Sequence, residues 1–218
     1  MTLQDRAAAF KAAYSQWPAS WPHVGQEQDH DVLYAIWVLG NDYRNQTRFY
    51  GAYPPTYVER VLALFPDVAA ETLRKQNGET AEWPVLHAFS GQLPRGPYLR
   101  CDLRQPADYG CSISELPAML ARIGRPLFRL VLADPPYSAA DAAQYETPTV
   151  DRRRAMQALA QVVIPGGFLA WLDTCWPMHR KAEWLTVGRI PIIRSTNHRV
   201  RLLTLFQRQP SLSVERAA

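Results

Sequence analysis

The chain has 218 residues, a length that suits one domain with a substantial core. It is 47% hydrophobic and 20% charged, and its three cysteines (Cys101, Cys111 and Cys175) are too few and too scattered for a disulfide framework or a zinc site. The net charge of +4 is unevenly held: residues 151–218 carry eleven Lys/Arg against four Asp/Glu (+7), leaving thirteen against sixteen (−3) for residues 1–150. A basic C-terminal third suits a polyanionic partner, although a solvated basic face has the same composition. The start, Met1-Thr2-Leu3-Gln4-Asp5-Arg6, has no basic stretch followed by an apolar run, so no signal peptide is expected. The longest apolar stretch, residues 32–39, is too short to span a bilayer. A cytoplasmic protein with no membrane contact and no metal is expected.

In chain order, residues 3–14 read as a short alanine-rich helix, broken by the two prolines and the glycine of residues 17–25. Asp31 can cap a second helix through about Leu39, ended by Gly40-Asn41. A polar, aromatic segment, residues 41–55, leads into a third helix over residues 56–65, with Val58, Val61, Leu62 and Phe65 on one face. An N-terminal helical extension, residues 1–44, is therefore expected ahead of the main domain.

After Asn77-Gly78 the periodicity changes, and short apolar runs dominate: residues 84–89, 98–101, 128–133, 168–172, 189–194 and 199–206. Helical stretches, notably residues 114–123 and 151–162, separate several of them. Strands alternating with helices predict an α/β domain with a mainly parallel sheet. The last two runs, joined around Asn197-His198, predict a closing antiparallel hairpin, and residues 210–218 read as a tail.

The strongest chemical signal is Arg129-Leu-Val-Leu-Ala-Asp-Pro-Pro-Tyr-Ser138, a buried strand running straight into an acid, two prolines and an aromatic. In open parallel sheets, ligands bind at the carboxyl ends of strands. Pro135 and Pro136 each fix a φ angle and restrict the residue before them, so the Asp134 carboxylate and the Pro135 carbonyl become two rigid acceptors. Two such acceptors suit the NH₂ group of a nucleobase. They would hold its hydrogens and favour a tetrahedral nitrogen, and Asp134 could take the proton released. Tyr137 offers a flat face on which an extruded base can stack. The plainer alternative is a Pro-Pro turn with a capping aspartate.

Asp134-Pro135-Pro136-Tyr137 after a strand resembles the catalytic motif of N6-adenine and N4-cytosine DNA methyltransferases, and of some RNA guanine-N2 methyltransferases. The resemblance implies a class I (Rossmann-like) fold with a seven-stranded sheet, S-adenosylmethionine as cofactor, and DNA or RNA as substrate. Val162-Val-Ile-Pro-Gly-Gly-Phe-Leu-Ala-Trp-Leu-Asp173 looks like the helix, Pro-Gly-Gly turn and fifth strand of that family. Phe89-Ser90-Gly91 resembles the first half of the Phe-x-Gly-x-Gly cofactor motif; Leu93 stands where the second glycine belongs, and residues 92–97 are too few for the usual intervening helix. Asp102, ending the next strand, resembles the acid that binds the ribose hydroxyls of the cofactor, and Ser112 is the candidate near its adenine. Residues 45–51 resemble the segment that holds the methionyl end, which implicates Asn45, Thr47, Phe49 and Tyr50.

Residues 138–149 have the length and small side chains of a lid, and Ser138, Arg152 and Arg153 are candidate phosphate or base contacts. In the terminal hairpin, Asn197, His198 and Arg199 are candidates for the same role. The resemblance covers residues 45–208, so a methyltransferase domain over residues 45–209 is expected. Nothing of domain size remains for target recognition. Short sequence specificity is therefore expected, or a partner that supplies it, either a second copy or another subunit.

The target most favoured is adenine N6 in DNA. Cytosine N4 and RNA bases keep the same loop, whereas Asp at position 134 leans away from the Asn-Pro-Pro-Tyr of enzymes that methylate glutamine. A non-catalytic, nucleic-acid-binding relative is the reading from another class.

Overall fold

The computed structural model describes residues 1–40, 53–78, 82–125, 127–195 and 200–210. Helix α1 (Leu3–Ala13) begins at Thr2, whose hydroxyl accepts from the Asp5 amide at 3.1 Å while the Asp5 carboxylate accepts from the Thr2 amide at 2.8 Å, a reciprocal cap. Three strands follow: β1 (His23–Glu27), β2 (His30–Tyr34) and β3 (Trp37–Leu39). The helix expected over residues 31–39 is therefore absent, and most of that stretch is β-strand. Burial shows why. Trp37 and Leu39 are buried and Val38 between them is exposed, a period of two, while β-branched and aromatic residues favour strands over a solvated helix. Residues 1–40 are accordingly one α-helix, a short 3-10 turn at Pro18–Ser20 and three strands, not a helical extension.

Helices α2 (Tyr57–Leu64) and α3 (Pro66–Gln76) come next, then the alternating part of the chain: β4 (Val85–Ala88), β5 (Leu99–Asp102), β6 (Tyr109–Gly110), α4 (Leu116–Arg122), β7 (Phe128–Ala133), α5 (Ala139–Gln144), α6 (Arg152–Val162), β8 (Val163–Asp173), β9 (Trp184–Arg194) and β10 (Val200–Arg208). The described strands all belong to one mixed, mostly parallel sheet in the order β1-β2-β9-β10-β8-β7-β4-β5-β6, with β3 also paired to β9. Only β1 and β10 run against the rest, since every other pairing among the described strands is parallel. Among the described residues ten strands stand where seven were expected, the additional three being β1, β2 and β3. The hairpin expected at the C-terminus is present, with β10 inserted between β8 and β9.

Both sheet faces are covered, which explains the unbroken apolar runs. Along β7, Leu130 and Leu132 face the core shared with α1, α2 and α3, whereas Val131 and Ala133 face the core shared with α4 and α6. One difference from expectation lies at Pro165-Gly166-Gly167. Helix α6 runs directly into β8, which pairs at Val163 with Phe128 and again at Phe168 with Leu130, so residues 164–167 form an outward bulge within the strand. Gly166 takes φ +78°, and a Cβ on Gly167 would lie 3.0 Å from the Arg129 carbonyl, so both positions favour glycine. Among the described residues, no helix is long and apolar enough to cross a membrane.

Candidate active site

Strand β4 pairs with β5 on one side and β7 on the other, so the chain order reverses direction between β4 and β7. In open α/β sheets that reversal splays the loops apart and leaves a crevice at the carboxyl ends of the two strands. Phe89-Ser90-Gly91 leaves β4 there and Asp134-Pro135-Pro136-Tyr137 leaves β7 there. Ala88 and Ala133, the last residues of the two strands, are direct neighbours. Two segments 43 positions apart in the sequence, Gly91 and Asp134 at their nearest ends, thus meet at one corner.

The Tyr137 hydroxyl donates to Asp134 Oδ1, and the Arg201 guanidinium of β10 lies over the Tyr137 ring, 4.9 Å from its centroid. Burial pushes the Asp134 carboxyl up from an ordinary 3.8 to about 6; the Arg201 charge and the Tyr137 hydrogen bond pull it down, and the Asp173 charge pushes it up again. Tyr137 is itself raised well above the usual phenol range, by burial first and then by the Asp134 charge. Tyr53 and Tyr57, just before and at the start of α2, are raised in the same way, burial first and Asp134 second. The corner therefore holds a carboxylate that is ionised at neutral pH, with protonated phenols and the Arg201 guanidinium near it. Such a group accepts hydrogen bonds and takes up a proton readily once charge develops beside it.

Across the crevice, Phe89 and Gly91 both adopt left-handed backbone, at φ +56° and +53°. For phenylalanine this costs on the order of 1 kcal/mol. The turn is held by the Ser90 amide donating to the Cys101 carbonyl at 3.1 Å and the Gly91 amide donating to Asp102 Oδ2 at 2.8 Å. Asp102 also accepts from the Arg104 and Gln105 amides, both at 2.9 Å on Oδ1. Phe89, Ser90, Gly91 and Asp102 are thus brought together, with Asp102 tying the two strand-end loops to each other. The Ser90 hydroxyl is buried and has no partner among the described residues, a polar atom with unused hydrogen-bonding capacity just past the end of β4.

The other sequence candidates divide clearly. Ser112 follows β6, and its amide and hydroxyl both donate to Glu115 at 3.0 and 2.7 Å, so it organises the start of α4. Ser138 caps α5, accepting from the Asp141 amide at 3.1 Å, so the stretch expected as a lid begins as a short helix. Arg153 is exposed on the first turn of α6. Arg152 turns inward, donating to Asp173 and to the Tyr137 carbonyl. Asn45, Thr47, Phe49, Tyr50, Asn197, His198 and Arg199 lie outside the described residues.

Sequence reasoning missed Tyr53, Tyr57, Asp173 and Arg201 as parts of this corner. Asp173 carried a usable signal. It ends β8 as Asp134 follows the end of β7, an acid closing an apolar run.

The same burial makes stability depend on pH in a testable way. His87, in the middle of the sheet on β4, is lowered by burial from 6.5 to about 3. Being harder to protonate in the folded state, it contributes stability that is present above pH 6.5 and lost as pH falls towards 3. Asp134 has the opposite sign: raised from 3.8 to about 6, its contribution is present below 3.8 and lost as pH rises through 6. Between these limits the two slopes oppose each other, each about 1.4 kcal/mol per pH unit. Asp134→Asn removes one slope. On acidification from pH 6 to 4, the variant is expected to lose about 2 kcal/mol more than the parent in urea unfolding. Parallel curves for the two proteins would exclude a buried, raised Asp134 carboxyl.

Comparison with protein-family models and with curated proteins finds no match for this chain.

Proposed function

We propose that this chain is a class I S-adenosylmethionine-dependent methyltransferase acting on the exocyclic amine of a nucleobase, most plainly adenine N6 in DNA. The observation that carries this is the placement of Asp134-Pro135-Pro136-Tyr137 at the carboxyl end of central strand β7, beside the β4 turn and across the reversal of strand order. The mainly parallel β4–β8 core with the antiparallel β10 between β8 and β9 is compatible with that fold. Cys101, Cys111 and Cys175 are free thiols, Cys175 exposed, which suits a reducing cytoplasm.

The residues present fit the cofactor. The Ser90 hydroxyl, unpartnered among the described residues, and the tight Phe89–Gly91 turn would receive its methionyl part, and Asp102 at the neighbouring strand end would take the ribose. S-Adenosylmethionine supplies a methyl group made electrophilic by the sulfonium that carries it. The chain itself binds, orients and deprotonates. The Asp134 carboxylate and the Pro135 carbonyl accept the two amine hydrogens and direct the nitrogen lone pair out of the ring plane. Tyr137 packs on the base, its phenol kept protonated. As positive charge develops on nitrogen, Asp134 takes the proton, a role matched to an affinity near pH 6.

One observation favours a second reading, a non-catalytic nucleic-acid-binding relative. The Asp102 carboxylate is already engaged by three backbone amides, from Gly91, Arg104 and Gln105. Both are tested by incubating the protein with methyl-labelled cofactor and DNA or RNA, then digesting to nucleosides. Label in N6-methyladenine is expected. Label in N4-methylcytosine or in RNA alone would move the substrate, and no label together with no heat of cofactor binding would establish the second reading.

A further inference from the structure

We infer that Arg152 and Asp173 form a positioning pair for the Asp134–Tyr137 loop; this deepens the proposed function and rests on it. Asp173 ends β8 with its side chain fully buried, and Arg152 begins α6. Arg152 Nε donates to Asp173 Oδ2 at 2.7 Å and Nη2 to Oδ1 at 3.1 Å, a two-pronged pair, while Nη2 also donates to the Tyr137 carbonyl at 2.9 Å. The carboxylate is fixed from its other sides by Trp171 Nε1 at 3.2 Å and by the Thr174 amide at 2.7 Å.

The arrangement answers a mechanical need. Pro135 and Pro136 have no N–H, so the loop between β7 and α5 cannot be held through donors of its own at those positions. Their rings fix φ but leave the direction of the Tyr137 carbonyl to be set from outside. Anchoring that carbonyl fixes the backbone of Tyr137, from which the ring and its hydroxyl project, and the hydroxyl bonds to Asp134. Arg152 anchors the carbonyl, and Asp173, held independently by Trp171 and Thr174, sets Arg152. A buried ion pair adds little net stability, so its value lies in geometry. A two-pronged contact of Arg152 with a nucleic-acid phosphate would need Nη2, which already donates inward to Asp173 and to the Tyr137 carbonyl.

The test uses the full chain with Arg152→Met, Arg152→Lys, and Arg152→Met combined with Asp173→Asn, which leaves no uncompensated buried charge. With DNA as substrate, Arg152→Met and the double variant are expected to lower kcat about 30- to 100-fold, as a loop displaced by about 1 Å would. The KM for DNA and its salt dependence should stay within about twofold, and Arg152→Lys should recover part of kcat by restoring one donor. A purely structural role would lower the amount of folded protein and leave kcat per folded molecule unchanged; a phosphate contact would raise KM and flatten the salt dependence by about one counterion. Either result overturns the proposal.

If the parent protein methylates no nucleobase, the proposed function falls by itself and the pair is judged by amide hydrogen exchange. Arg152→Met should speed exchange of residues 137–142 at least about tenfold while the β7 and β8 amides keep parental protection. Unchanged exchange in 137–142, or acceleration spread evenly over the chain, would overturn it.

Discussion

Replacing Asp134 by alanine is expected to lower methyl transfer about 10³-fold or more while leaving the protein folded. Two effects add. Alanine removes a fixed acceptor for the amine hydrogens and the group that receives the proton, each worth about 10²–10³ in rate. The cost in stability is small by comparison, because Asp134 follows the last residue of β7 and its partner is the hydroxyl of Tyr137 rather than a ladder amide. Removing a carboxyl whose burial opposes its charge also relieves a penalty above pH 6. In the parent, the rate should rise with pH up to about 6 and then level off, following the ionised fraction of Asp134. Initial rates with labelled methyl donor, read beside thermal unfolding midpoints, check both parts. An Asp134→Ala protein within tenfold of the parental rate would remove this carboxylate from the chemistry.

The largest expected loss of stability comes from Trp171→Ala. Trp171 is fully buried in β8, packs in the core shared with α4 and α6, meets the edge of Phe89 with ring centroids 6.2 Å apart, and donates to Asp173. Emptying such a site costs about 3–5 kcal/mol, because the transfer free energy of the indole is lost and the surrounding strands collapse only partly into the gap. For a chain of this size that lowers the unfolding midpoint by roughly 6–20 °C. Trp171→Phe separates the contributions: it keeps most of the packing, removes the Asp173 donor, and should cost about 1–2 kcal/mol. Urea unfolding of both variants measures the difference. A loss under about 1 kcal/mol for Trp171→Ala would contradict its burial between the sheet and α6.

Much of the architecture was legible in the residues. The run Phe128–Ala133 is both the expected strand and the observed one, because a strand covered on two faces needs apolar residues at every position and its ends are marked by charge and proline. Residues 31–39 misled for a related reason. A continuous apolar run has no visible period, so helix and strand score alike until burial separates Val38 from Trp37 and Leu39. The Pro-Gly-Gly segment signalled a turn after α6, but only the pairing with β7 showed that residues 164–167 loop out within β8.

The sequence by itself determined the loop Asp134–Tyr137 and the strand that precedes it, since acid, prolines and aromatic are consecutive and their stiffness is covalent. Only the tertiary structure decided what surrounds them. Arg152 reaches back 15 positions to the Tyr137 carbonyl and forward 21 to Asp173, and Arg201 comes from another strand altogether. Those partners depend on which strands become neighbours, and that is set by burial of both sheet faces rather than by any local pattern of residues.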